Sequence, residues 1–216
     1  MDATTALLVD GAFVLLGDGL DTDQKRDVVN SVLLARKLTA KRRAPDADGY
    51  ARAFHDVLAN VGWISTKINK VAKHVDPATG DARSPLELIA AELGDTLPDD
   101  LLGALVAGVA GLADARPAVR AAWQTTTSDE NACASLLIVA TPANGVPMLV
   151  YDYNELSPAL IAGEYPWSAL TGPGTLTQLY GSVALNPAVF TARLSEELAA
   201  KVAPLRPAAV VPIQPL

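Results

Sequence analysis

The sequence predicts an α+β fold, with N-terminal helices packed on an antiparallel, hairpin-rich sheet and a helix near the C-terminus. Three observations predict it. Helix-like segments gather in the first half of the chain, strand-like runs flank an Asn144-Gly145 pair in the second, and a capped helical pattern follows the last strand. Strands and helices do not alternate regularly, so a nucleotide-binding parallel sheet is not expected. Of the 216 residues half are hydrophobic and 19% charged, a composition that folds and can bury a sizeable core. Residues 1–203 read as one α+β domain and residues 204–216, with four prolines, as an extended tail, either flexible or docked.

The elements follow in order. "ALLVDGAFVLLG" reads as short strands turned at Asp10-Gly11. Asp21 followed by Gln24 is a capping-box arrangement and starts a helix through "VVNSVLLARKL", apolar nearly all round and therefore internal. "GDGLDTD" lacks the ligand spacing and closing glutamate of an EF-hand, so the cap reading is preferred to a calcium loop. From Tyr50, residues Phe54, Val57, Leu58 and Val61 form an apolar stripe at helical spacing that ends at Gly62. His55 and Asp56 lie off that stripe, and adjacent helical residues do not face each other. The pair therefore reads as helix surface, with His55 at the rim, rather than as a catalytic dyad.

"WISTKINKVAKH" is expected to be extended or frayed. Ser84-Pro85 opens a short helix closed by Gly94, and a further helix begins near Pro98. Between Leu101 and Ala113 that helix carries no charge, and Gly103, Ala107 and Gly111 make a small-residue edge where another backbone could approach. A buried core helix is preferred there to a membrane-inserting one, because the segment is too short to cross a bilayer. Asn144-Gly145 predicts a tight hairpin, with Pro142 and Pro147 hinting at a longer loop. "TLTQLYGSVAL" reads as a strand, after which Asn186 is expected to cap a helix with Pro187 in its first turn.

Charge is unevenly spread. Residues 24–73 hold eleven of the seventeen Lys and Arg against four acids, in a chain whose net charge is −7. The split points to a basic helical face for an anionic partner, with Lys41, Arg42, Arg43, Lys67, Lys70 and Lys73 as its contacts. The chemistry of most enzyme classes is not written in motifs. There is no phosphate-binding glycine loop and no nucleophile elbow, and no carboxylate pair stands out as acid and base. One cysteine and two histidines make a zinc site improbable, and Cys133 reads as inert core. No metal or other cofactor is expected. Basic residues are not interleaved with aromatics, so no nucleic-acid partner is expected. A cytoplasmic location is the default, because the first residues lack the basic region of a secretory signal, and signal-independent export stays open.

Three stretches, "RDVVNSVLLARKLTAKR", "YARAFHDVLANVGW" and "LYGSVALNPAVFTARLSEELAAKV", together resemble a widespread family of uncharacterised, mostly bacterial proteins. In that family a "DVLNS"-type helix precedes an "IGW"-ended helix, and a strand followed by an "LN" helix comes near the end. The resemblance covers most of the chain and implies a single domain. It brings no catalytic residues. The expected function is a non-enzymatic binding or assembly protein, with a protein partner or self-association. Two alternatives stand beside it: a membrane-active, toxin-like protein that binds anionic lipid and inserts Leu101–Ala113, and, third, a hydrolase or transferase built from scattered residues. A pocket holding His55 or His74 with a carboxylate would favour the third.

Overall fold

A hairpin opens the structure, a computed structural model that describes residues 4–42, 47–79, 84–117, 119, 128–129, 132–157, 169–170 and 172–213. Strands β1 (Thr5–Val9) and β2 (Ala12–Leu16) are joined at Asp10 and Gly11, with φ of 48° and 77°, as the sequence predicts. Helix α1 (Thr22–Arg42) starts at the expected capping box. The Gln24 amide N–H donates to Asp21 Oδ1 at 2.8 Å, and the Asp21 N–H donates to Gln24 Oε1 at 3.1 Å. Residues 28–36 are buried without a break, which is the internal helix the pattern implied.

Helix α2 (Ala47–Asn60) stops before Gly62, whose φ of 92° would strain any side chain and whose neighbours Val189 and Phe190 would crowd one. Strand β3 (Trp63–Val75) then runs for thirteen residues. Beyond a 3₁₀ turn at Pro77–Thr79 come α3 (Pro85–Leu93), capped by Ser84 with Pro85 in its first turn, and α4 (Asp99–Gly111). Short β4 (Ser128–Asp129) precedes β5 (Ala132–Ala143), β6 (Val146–Leu156) and β7 (Gly174–Leu185). The chain closes with α5 (Ala192–Val202), the single-turn α6 (Arg206–Ala209) and β8 (Val210–Pro212).

The eight strands among the described residues form one sheet in the order β3-β7-β6-β5-β2-β1-β8, with β4 paired to β5. Every pairing is antiparallel except β2 with β5, so the fold is α+β around a mixed sheet. Helices cover both faces. α1, α2 and α5 pack on one through Val28, Val32, Phe54, Leu58, Leu198 and Val202. α3 and α4 pack on the other through Leu86, Ile89, Leu93, Leu105 and Val109. Central strands buried on both sides read as near-continuous apolar runs, which is why "AFVLL" and "LLIVA" show no clean alternation.

The β5–β6 turn is the tight one that Asn144-Gly145 predicts, with φ of 53° and 82°, and no longer loop is needed. Pro142 faces Pro147 on the second rung, where neither residue has a pairing partner on its outer neighbour. Their missing N–H groups therefore break no ladder.

Three expectations are corrected. Asn186 does not cap a helix. Its Oδ1 accepts from the Ala188 N–H at 3.0 Å to close a local turn, and α5 is capped by Thr191. Asn-Pro serves a turn as readily as a helix start, and this turn carries Phe190 into the core. The segment 204–213, read as a tail either flexible or docked, is not extended throughout, and residues 214–216 lie outside the described residues. Arg206–Ala209 forms a helical turn, and Val210–Pro212 pairs with β1. Finally, α4 is not a buried core helix: Gly103, Ala107, Ala110 and Gly111 lie on its exposed side.

Candidate functional site

Edge strand β3 and helix α2 bound a pocket of about 360 Å³. From α2 come Asp48, Ala51, Arg52, His55 and Asp56, spaced three and four residues apart along one flank of the helix. From the sheet come Ile68, Asn69 and Lys70 of β3, Tyr151 of β6 and Leu179 of β7. The walls combine apolar groups with two acids and two cations, and the volume falls in the range of roughly 300–1,000 Å³ usual for small binding pockets.

The pocket changes the reading of His55. This residue is half-buried, and its Nε2 is shielded from solvent without a hydrogen-bond partner among the described residues. His55 lies off the core stripe, as the helical spacing predicts. What that spacing could not show is that the sheet extends beyond the stripe and closes the space beside the helix. Asp56 lines the same pocket, and Lys70 Nζ bridges to Asp48 Oδ2 at 2.6 Å. The lining contains no serine, threonine or cysteine, and burial pushes the Tyr151 hydroxyl up to about 12, far from a nucleophilic phenolate at neutral pH. The pocket nevertheless holds His55 with two carboxylates, Asp48 and Asp56, the arrangement named above as favouring a hydrolase or transferase.

The six predicted contacts do not form one basic helical face. Lys41 and Arg42 belong to the last turn of α1, and Arg43 lies outside the described residues. Lys67, Lys70 and Lys73 sit on a strand, where Trp63, Ile64, Ile68 and Val71 favour extended backbone. Lys70 reaches Asp48 of α2, whereas Lys73 pairs with Glu92 of α3 on the opposite face of the sheet. Both charges are offset within the chain. The edge itself is more distinctive. β3 has a neighbour on one side only among the described residues, and Ile64 and Ile68 are 53% and 56% exposed.

The small-residue edge of α4 faces outward, and a side chain built on Gly103 or Gly111 would meet nothing within 4 Å. Among the described residues no helix is long and apolar enough to cross a membrane. Placing lysine at exposed Ala107 should therefore change stability by less than about 0.5 kcal/mol. Urea unfolding measures this, and a loss of several times that amount would show that the face is covered.

A second constellation lies under α3, and the sequence reading missed it. Ser135 of β5, Asn154 of β6 and Gln178 of β7 stand side by side in register, and Asp152 is two residues along β6. All four are 0–3% exposed. Gln178 Nε2 donates to Asp152 Oδ2 at 3.0 Å. Asp152 Oδ1, Asn154 Oδ1 and Nδ2, Gln178 Oε1 and Ser135 Oγ have no partner among the described residues. Each such atom costs about 1–3 kcal/mol when buried alone. Burial pushes the Asp152 carboxyl up to about 7; Asn154 and Gln178 beside it pull the other way, and the charge of Glu92 adds to the rise. The sequence signal was "VYDYNEL", in which Tyr151 and Tyr153 alternate with Asp152 and Asn154.

No family model matches the chain. No curated protein matches it either. Among solved structures, one described as "Structure of the Evf virulence factor" is similar at 7% identity and a TM-score of 0.35, covering 94% of this chain and 85% of that one. A likeness that slight carries no argument about function.

Proposed function

We propose that the protein is a non-enzymatic binding module of a larger assembly, which captures an extended segment of a partner protein as an added strand on β3. The observation that supports this reading most is one juxtaposition. A thirteen-residue strand whose outer side is unpaired among the described residues runs beside a pocket shared with α2. Strand addition draws affinity from main-chain hydrogen bonds, and pockets for alternate side chains supply specificity. Lysines along an edge also discourage indiscriminate pairing, which fits an edge reserved for one kind of partner. The partner segment would place an apolar side chain against Ala51, Ile68 and Leu179 and an acidic one near exposed Arg52.

Selection from a random peptide library against the full chain tests the proposal. Enriched peptides should carry that apolar and acidic pair and should slow amide exchange in β3. They should lose at least about tenfold in affinity with Ile68→Lys or Arg52→Ala, both exposed positions that the fold does not need. Peptides that protect another surface, or bind the variants equally well, would overturn it. So would flotation with anionic liposomes that survives physiological salt while no peptide is enriched, an outcome that favours the membrane reading.

A further inference from the structure

We propose that the row formed by Ser135, Asn154, Gln178 and Asp152 is a binding site for a single alkali cation, buried in the sheet beneath α3.

The chemistry of the unpartnered atoms selects the ligand. Four of the five are oxygens: one from a carboxylate, two from amides and one from a hydroxyl. Gln178 is oriented by its donation to Asp152, which commits its nitrogen and leaves Oε1 as the available end. Oxygens of this mixture suit a hard cation, and neutral carbonyl-type oxygens can take over the hydration shell of an alkali ion. One carboxylate beside amides and a hydroxyl, with no histidine or cysteine, is not the donor set a transition metal prefers.

Charge decides between monovalent and divalent ions. The row contributes one carboxylate. Glu92 of α3 acts on Asp152 through its charge, but it is already paired with Lys73. One alkali ion neutralises the buried charge, whereas a divalent ion would leave a surplus in a low-dielectric layer. With side chains 0–3% exposed, the site suits an ion rather than a ligand with a body. Among the described residues, the titratable groups beside Asp152 are Glu92, with its partner Lys73, and Tyr180, which stands opposite Asp152 in the sheet.

Thermal unfolding at pH 8 tests this, with tetramethylammonium chloride replaced by NaCl or KCl at constant ionic strength. The wild-type midpoint should rise saturably, by about 3–6 °C once the ion is at ten times its dissociation constant. The rise should vanish in Asp152→Asn. Sodium NMR of the wild-type protein, with line broadening relieved by potassium, reads the same site without a variant. Equal midpoints in all three salts, or an equal rise in Asp152→Asn, would overturn the proposal. A rise given only by Ca²⁺ or Mg²⁺ would overturn the alkali assignment.

Discussion

In tetramethylammonium buffer the protein is expected to lose about 4 kcal/mol of stability between pH 4 and pH 8 through Asp152 alone. The shift runs from 3.8 to about 7 in a fully buried group, and each unit corresponds to about 1.4 kcal/mol. The folded protein holds this proton more tightly than the unfolded chain. Below pH 3.8 both states keep it, and the group adds no pH dependence. Between 3.8 and about 7 the unfolded chain releases it and the folded protein does not, so each step up in pH favours unfolding. Above about 7 both states are ionised and the loss is complete.

Asp152→Asn mimics the protonated side chain. It should match wild type near pH 4 and exceed it by up to about 4 kcal/mol at pH 8. Urea unfolding across this range, compared between the two proteins, isolates the residue from other carboxylates. A variant less stable than wild type at every pH would show that the carboxylate is stabilised in the folded state. With sodium or potassium present the gap at pH 8 should narrow, because a cation on the row supplies the missing positive charge.

The features legible in the sequence were those decided locally. Asp10-Gly11, the Asp21 and Gln24 box, Ser84-Pro85 and Asn144-Gly145 satisfy or terminate backbone within a few residues, so their neighbours scarcely matter. What failed depended on distant packing. The alternation around Asp152 and Asn154 marks a polar face, but only the placement of α3 and α4 makes that face buried. His55 follows the same logic in reverse: its direction was readable from the helix, and its pocket exists because β3 runs past α2. The lysines of β3 were counted correctly as a cluster. Their alternation to opposite faces, and their pairing with Asp48 and Glu92, follow from the strand and from sheet position.

Arg36→Ala is expected to cost about 3 kcal/mol. Arg36 breaks the pattern of α1, a cation 6% exposed in the middle of a buried helix. Its Nε and Nη2 donate to the Asp10 carbonyl at 3.0 and 2.8 Å, and its Nη1 donates to the Tyr50 hydroxyl. The Asp10 carboxylate is engaged elsewhere, by Lys37 at 2.5 Å. Hydrogen bonds from a charged donor contribute about 1.5–3 kcal/mol each, and alanine would leave the Tyr50 hydroxyl buried without its donor. Arg36→Met keeps the apolar stem and separates packing from hydrogen bonding. If methionine matches wild type, the guanidinium is offset by its own desolvation, as happens for some buried charges. If alanine and methionine lose similar amounts, the hydrogen bonds dominate. The consequence reaches the pocket: Tyr50 stacks on Tyr153 at 4.5 Å and anchors the start of α2, two residues from Asp48. Loosening Arg36 should therefore weaken peptide capture in proportion to lost stability, whereas Arg52→Ala should weaken capture alone. An Arg36→Ala protein that unfolds within about 1 kcal/mol of wild type would remove this residue from the account of how α2 is held.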